Sequence, residues 1–260
     1  MTRSIAVLSD THGVLPTLDA VLAEPDVRAA DVVVVTGDLA AGPQPTEVLD
    51  LLLGLSERVV LVRGNADRDL VTGARGGALP EGTPEIDRWA AAQLDTRHVE
   101  LLAGLRHPVT LSLDGVGHVL FCHGTPRDDD EVVLVDTRPS RWAQVLADVP
   151  DTVRIVCCGH THAPFVRLVG RRWVVNSGSV GMPYGTSGVP WVLLDDHGVS
   201  LRSTTVDVAD VARAVVVGST FPGVGEWVRD YVLEPPSDLD ALTAFALRDG
   251  RSEGWDDPGV

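Results

Sequence analysis

The first hundred residues alternate short apolar runs with stretches of helical periodicity. The apolar runs at residues 4–8, 31–36 and 59–63 are typical of buried strands. The stretches at 15–23 and 45–55 predict amphipathic helices between them. Strand, helix and strand at this spacing form βαβ units, which imply parallel pairing with right-handed crossovers.

Beyond residue 104 the pattern changes to short strands separated by Gly, Asn and Pro. The Asp114-Gly115 pair predicts a tight turn between two antiparallel strands. The other predicted elements are a loop at 73–84, helices at 84–104, 140–147, 207–217, 227–233 and 238–247, and strands at 109–113, 118–122, 153–158, 165–169, 173–175, 191–194 and 200–205. Together these elements predict an α/β fold in which two packed, mixed β-sheets are flanked by helices, a four-layer αββα sandwich.

Composition narrows the class of protein. The 260 residues include 37 acidic and 21 basic side chains, a formal net charge of −16, and 44% are hydrophobic, which is enough for a substantial core. Such an acidic surface repels phosphate backbones and anionic lipids, so we expect no stable nucleic-acid complex and no membrane partner. An anionic substrate stays open, because bound metal ions reverse the field inside a cleft. The oligomeric state is not readable from these features.

The cysteines and the N-terminal residues bear on the compartment. Cys122, Cys157 and Cys158 lie in apolar runs, where we interpret them as packing residues rather than a disulfide framework. Residues 1–10 lack the apolar stretch of a signal peptide. We therefore expect a cytoplasmic protein.

Residues that bind metal ions recur where the predicted strands end. The carboxyl ends of strands in α/β sheets bring loops together at one edge, so these side chains are expected to share a cleft. Each motif is weak alone, because Asp and Asn commonly occupy turns, but their coincidence at five strand ends is not explained by turns. The candidates are Asp10, His12, Asp38, Asn65, His123, His160 and His162. Seven ligands are too many for one tetrahedral zinc and suit two metal ions that share a carboxylate.

This ordered set resembles the calcineurin-like metallophosphoesterase superfamily. The resemblance rests on Asp10-Thr-His12, on Gly37-Asp38 with Gly42-Pro43, on Gly64-Asn65-Ala66-Asp67, on His123-Gly124 and on Gly159-His160-Thr161-His162. The segment at 176–181 is similar to the family's Asn-Pro-Gly-Ser segment, with Ser177 where Pro is usual. The His123-Gly-Thr-Pro126 form, and the lack of a large inserted cap, resemble the small bacterial and archaeal phosphodiesterase branch.

The resemblance implies a division of ligands between two divalent ions. Asp10, His12 and His162 would hold one ion. Asn65, His123 and His160 would hold the other, and Asp38 would bridge the two. Oxygen and nitrogen ligands without thiolate suit Mn, Fe, Co, Ni or Zn, with Mn expected first.

The resemblance also implies a reaction and a domain organisation. The expected reaction is hydrolysis of small phosphate esters, diesters above all, by in-line attack of a hydroxide that bridges the two ions, with Asp38, Asn65 and His123 as the catalytic residues. Residues 1–206 would form the catalytic domain. Residues 207–260 would be a helical extension packed on it, with a flexible end at 251–260.

Residue 66 departs from the family pattern. Many family members have a His there that can protonate the leaving group, whereas this chain has Ala66. General acids typically contribute ~10²–10⁴-fold, so we expect slow turnover of esters with basic leaving groups. Arg68 and Arg127 are candidates for phosphate binding or surface residues, and the acidic run at 128–131 is interpreted as a solvated loop.

Besides a protein phosphatase, which ranks third among the enzymatic functions, two alternative functions remain. One is a nucleotide or dinucleoside-polyphosphate phosphatase, which would need an aromatic partner for the base, and the sequence places only Phe121 and Tyr184 near the ligand motifs. The other is a non-catalytic interaction module of the same fold, for which the missing acid at Ala66 is the one supporting feature.

Overall fold

Two five-stranded mixed β-sheets form the centre of the protein. The computed structural model describes residues 2–55, 57–185 and 188–250. The strands, in chain order, are β1 Ile5–Leu8, β2 Val32–Val35, β3 Val59–Leu61, β4 Val109–Leu113, β5 Gly117–Phe121, β6 Val153–Cys158, β7 Phe165–Val169, β8 Arg172–Asn176, β9 Val189–Asp195 and β10 Gly198–Thr204. The strand order is β10-β9-β1-β2-β3 in the first sheet and β4-β5-β6-β8-β7 in the second.

Each sheet contains three neighbouring parallel strands. In the first sheet β2 pairs in parallel with both β1 and β3, and in the second β6 pairs in parallel with both β5 and β8. The remaining pairings are antiparallel, including the predicted hairpin of β4 and β5. These pairings confirm the prediction of two mixed sheets.

Side chains that alternate along each strand pack on opposite faces of the sheet and so belong to different layers of the fold. Ile5 and Val7 of β1 lie in an apolar core that also contains Phe121 and Ile155 of the second sheet, so the two sheets pack face to face. The neighbouring residues Ala6 and Leu8 lie in the core formed with the helices on the opposite face. The outer face of the second sheet is covered in the same way around Trp142.

Helices cover both outer faces, which completes the predicted four-layer arrangement. They are α1 Leu15–Leu22, α2 Pro25–Ala29, α3 Pro45–Gly54, α4 Asn65–Ala74, α5 Glu85–Gln93, α6 Thr96–Ala103, α7 Pro139–Val145, α8 Val208–Gly218, α9 Val224–Val228 and α10 Asp238–Phe245. A π-helical turn at Arg229–Leu233 continues α9. Among the described residues, no helix combines the length and the apolar character needed to cross a bilayer.

Several element boundaries differ from the prediction. The stretch at 84–104 contains two helices, because the Asp95 carboxylate accepts a hydrogen bond from the His98 backbone N–H (3.1 Å) and starts a new helix. The predicted loop at 73–84 begins two residues later, since α4 continues to Ala74. The short helix α2 and the helix α4 were not predicted.

The C-terminal helices pack on the rest of the chain. Val211 and Val215 of α8 share an apolar cluster with Val14 and Trp227. The expected flexible end at 251–260 lies outside the described residues.

Candidate metal centre

The seven candidate ligands all follow strands that end at one edge of the two sheets. Asp10 and His12 follow β1, and Asp38 follows β2. The others are Asn65 at the start of α4 after β3, His123 after β5, and His160 and His162 after β6. Parallel neighbours place these loops side by side, as the sequence pattern predicts.

Two compact groups of ligand atoms form at this edge. Asp10, His12 and His162 each offer one atom, and the three atoms lie within 4.8 Å of one another. Asp38, His123 and His160 form a second group by the same measure. All six residues are buried, which removes the solvent that would otherwise compete for a bound cation.

Backbone carbonyls orient three of the imidazoles. Nδ1 of His12 lies 3.0 Å from the Ala41 oxygen, and Nδ1 of His162 lies 2.9 Å from the Met182 oxygen. Nδ1 of His123 lies 2.7 Å from the oxygen of Thr36. Because a carbonyl oxygen only accepts, each Nδ1 carries the hydrogen, and each Nε2 of a neutral ring is left with a lone pair for a metal ion.

Asp38 connects the two groups. Its Oδ2 lies 3.2 Å from His123 Nε2 in the second group and 3.8 Å from His12 Nε2 in the first. Its Oδ1 accepts a hydrogen bond from the N–H of Ala66 (2.9 Å), one of the free donors at the start of α4. One carboxylate oxygen is therefore fixed by a helix end while the other faces both groups.

Buried atoms without partners test whether the site fits metal ions. Asn65 Oδ1 is buried without a hydrogen-bond partner among the described residues, and the buried atoms Asp10 Oδ1 and His123 Nε2 lie nearest to other candidate ligands, His162 Nε2 and Asp38 Oδ2, each at 3.2 Å. Leaving a buried polar atom unpaired costs about 1–3 kcal/mol, so native proteins rarely keep one without a ligand. Carboxylate, amide and imidazole donors suit divalent cations, and the residues present fit such ions.

Backbone strain is concentrated at the same positions. Among the described residues, the non-glycine residues with positive φ are Asp10 (52°), His12 (43°), Asp38 (52°), His160 (67°) and His162 (57°). All five are candidate ligands. Left-handed conformations at non-glycine residues cost free energy and cluster at functional sites, so this coincidence supports a functional role for the cleft.

Charge interactions shift the pKa values of the cluster in opposite directions. Burial opposes a charge on His123, yet the carboxylates of Asp38 and Asp10 raise its pKa to about 10. Burial and the neighbouring His123 lower the pKa of His160 to about 3. Burial and His162 likewise lower the pKa of His12. Of the imidazoles whose pKa is shifted, His123 therefore binds a proton most strongly.

Asp67 supports the cluster from behind. Its carboxylate accepts backbone hydrogen bonds from Gly64 (2.8 Å), Asp38 (3.0 Å) and Leu39 (2.8 Å). Burial and the negative charge of Asp38 raise its pKa to about 7. Asp67 therefore ties the loop after β2 to the loop after β3.

The C-terminal segment brings residues to the cleft that the sequence analysis missed. The ring of Phe245 lies 5.9 Å from that of His160, and Arg248 Nη2 lies 3.5 Å from His160 Nε2. The expectation that only Phe121 and Tyr184 adjoin the ligand motifs is therefore wrong. Tyr184 does contact His162 (5.4 Å between ring centroids), whereas Phe121 is fully buried between the sheets.

The acidic run at 128–131 is ion-paired rather than simply solvated. Asp129 is buried and accepts hydrogen bonds from Arg63 and Arg68. Glu131 pairs with Arg127. Of the two arginines considered for phosphate binding, Arg68 lines the cleft, and both already have carboxylate partners.

Comparisons with known proteins agree with this architecture. Residues 4–197 match the family model of the calcineurin-like phosphoesterase superfamily domain. An uncharacterized protein of Methanocaldococcus jannaschii is 23% identical over 247 residues, which cover 86% of this chain and 95% of the relative.

Two solved structures share the fold. A metallophosphoesterase from Sphaerobacter thermophilus superposes with a TM-score of 0.67 at 22% identity, covering 89% of this chain and 100% of that one. A hypothetical protein from Pyrococcus horikoshii superposes with a TM-score of 0.72 at 17% identity, covering 86% of this chain and 97% of that one. Phe245 and Arg248 lie beyond the residues that the family model matches.

Proposed function

Because the chain belongs to the calcineurin-like phosphoesterase superfamily, we propose that it is a metal-dependent phosphoesterase that hydrolyses small phosphate esters, phosphodiesters above all. The observation that carries this proposal is the pair of buried ligand groups connected through Asp38. The buried carboxylate, amide and imidazole atoms at this site are ligands that suit divalent cations. Both groups lie at the carboxyl ends of the parallel strands.

We assign the ligands as follows. Asp10, His12 and His162 would hold one divalent ion. Asn65, His123 and His160 would hold the other, and Asp38 would be shared between them. When bound, two such ions supply a nucleophile at neutral pH and stabilise the charge that develops on the phosphate.

Asp38, Asn65 and His123 act as the catalytic residues in this proposal. Asp38 links the two groups, because its Oδ2 faces His12 of the first group and His123 of the second. The 2.7 Å contact of His123 Nδ1 with the Thr36 carbonyl keeps Nε2 directed at the cluster. The buried, unpaired Oδ1 of Asn65, at the start of α4, would add a neutral oxygen ligand to the second group.

The chain offers no imidazole at residue 66 to protonate a departing alkoxide. Ala66 lines the cleft next to Asn65 and also packs against the apolar core formed with the helices. Substrates whose leaving group is stable as an anion should therefore react fastest, and a phenolic diester is the suitable assay substrate.

The test is metal analysis of the purified protein together with a Mn²⁺-dependent assay on bis-p-nitrophenyl phosphate. We expect about two divalent ions per chain and hydrolysis that stops on chelation. Asp38→Asn should abolish turnover with the fold intact, whereas Asp210→Asn, on the exposed surface of α8, should leave turnover unchanged. A metal-loaded wild type without turnover would instead support the non-catalytic module, and full turnover in Asp38→Asn would refute the shared-ligand assignment.

A further inference from the structure

The segment that follows α10 places the positively charged guanidinium of Arg248 beside the candidate metal centre. Arg248 Nη2 lies 3.5 Å from His160 Nε2, and the Arg248 guanidinium lies 5.8 Å from the ring of Phe245. The segment is attached to the rest of the fold, because Ala246 is completely buried and the buried carboxylate of Asp249 accepts a hydrogen bond from the Thr137 hydroxyl (2.6 Å). Arg248 is thus a positioned residue rather than part of a loose chain end.

Arg248 also lines a cavity that reaches the candidate metal centre at Asn65. This cavity has a volume of about 410 Å³, and Ala66 and Asp130 border it as well. Nη2 of Arg248 donates to the carboxylate (2.7 Å) and the carbonyl (2.8 Å) of Asp130, while 45% of the arginine side chain stays exposed. Arg68 borders the same cavity, but the buried carboxylate of Asp129 already engages it.

We propose that Arg248 binds an unesterified oxygen of the substrate phosphate and so lets the site accept phosphomonoesters as well as diesters. This inference rests on the proposed function. A guanidinium is a strong donor to phosphate oxygens. A monoester dianion presents three unesterified oxygens and a diester only two, so the additional cation favours the monoester more.

A different role would also explain the contacts of Arg248. If Arg248 only attaches the C-terminal segment to the acidic run at 128–131, its role is the ion pair with Asp130. Removing either partner would then loosen the same contact and have the same effect. If Arg248 binds phosphate, Asp130 competes with the substrate, and removing Asp130 should have the opposite effect to removing Arg248.

The experiment uses the metal-loaded full chain and inorganic phosphate as the probe. Phosphate binding is measured by calorimetry, and kcat and KM are measured for p-nitrophenyl phosphate and for bis-p-nitrophenyl phosphate. The variants are Arg248→Met, which keeps an aliphatic side chain near Phe245, Arg248→Lys, and Asp130→Asn. Arg213→Met on exposed α8 is the matched control, since it removes the same charge from a surface ion pair.

For Arg248→Met we expect phosphate Kd and monoester KM to rise about 10-fold, the effect of one hydrogen bond to a charged group. Diester KM should change by less than about 3-fold, because a diester has fewer free oxygens for the guanidinium. Arg248→Lys should retain part of the affinity, and Asp130→Asn should bind phosphate more tightly.

Two results would overturn the inference. One is a phosphate Kd in Arg248→Met equal to that of Arg213→Met. The other is weaker phosphate binding in both Arg248→Met and Asp130→Asn at unchanged metal content, which would show that the pair is only a fastening. If the wild type neither binds metal nor hydrolyses either ester, the proposed function fails as well. Intact hydrolysis with unchanged phosphate affinity in Arg248→Met refutes this inference alone.

Discussion

Gly64 provides a sharp test of the candidate metal centre, because a single added carbon would press on Asp38. Its backbone (φ −99°, ψ 172°) is extended and open to any residue, so alanine introduces no strain there. An added Cβ would overlap Asp38 Oδ1 and would lie 2.5 Å from the Asp38 nitrogen. The Gly64→Ala variant therefore differs from the wild type chiefly in where Asp38 can sit.

The size of the effect follows from these contacts. Real Cβ atoms keep at least 3.0 Å from such neighbours, so the backbone nitrogen of Asp38 must move 0.5 Å away from the new Cβ. The Oδ1 atom of Asp38, which the new Cβ overlaps, must move further. Metal–ligand distances tolerate only about 0.2 Å. We therefore expect metal affinity at the shared carboxylate to fall about 10–100-fold, the range that is typical when groups that support metal ligands are removed.

The assay is a chelator-competition titration of Mn²⁺ or Zn²⁺, with thermal unfolding in EDTA as a check on folding. Gly54→Ala is the matched control: Gly54 ends α3, and a Cβ added there would have no atom within 4 Å. That variant should keep wild-type metal affinity and gain up to about 1 kcal/mol of stability from helix propensity. Wild-type affinity and turnover in Gly64→Ala would refute the placement of Asp38 between the ligand groups.

Three further predictions follow from the site. Since Asp38 and Asp10 raise the pKa of His123 to about 10, metal binding at pH 8 must displace a proton from that ring. Calorimetry in buffers of different ionisation enthalpy should show release of about one proton, with affinity rising from pH 7 to 9, and a pH-independent affinity would contradict this. In Ala66→His, a new proton donor should raise kcat/KM for alkyl phosphodiesters about 10-fold or more and change p-nitrophenyl esters little. Equal gains on both substrate types would indicate better phosphate binding instead. The two carboxylate oxygens of Asp67 accept three backbone hydrogen bonds, and Asp67→Asn replaces one of these oxygens. The variant should therefore bind metal about 10–100-fold more weakly. Unchanged affinity would show that the loops after β2 and β3 keep their positions without the Asp67 carboxylate.

The strand ends and the candidate ligands could be predicted because their signal is local. Apolar runs such as residues 4–8 specify buried strands, and a polar residue directly after such a run must lie at the edge of the sheet. Parallel pairing then places Asp10 next to Asp38 without any knowledge of side-chain contacts. The family resemblance followed from the order of these same motifs.

What the sequence did not reveal depends on contacts between distant residues. Arg248 lies 88 positions after His160, and no motif marks its approach to the metal centre. The acidic run at 128–131 resembles a solvated loop in composition, and only the fold brings Arg63 and Arg68 to Asp129. The break between α5 and α6 depends on a single capping carboxylate, Asp95, inside an otherwise continuous helical pattern.

The left-handed backbone at five candidate ligands indicates how the fold keeps this site in shape. Each such residue costs about 1–3 kcal/mol, which is large beside a typical net domain stability of about 5–15 kcal/mol. Hydrogen bonds between neighbouring loops oppose that cost: the N–H of Asp10 donates to the Gly37 carbonyl (3.0 Å), and the N–H of His12 donates to the Asp38 carbonyl (3.0 Å). The loops after β1 and β2 therefore hold each other in the strained conformation. Because the parallel register of the two strands aligns these bonds, the geometry of the ligands is a consequence of the sheet and not of the loops alone.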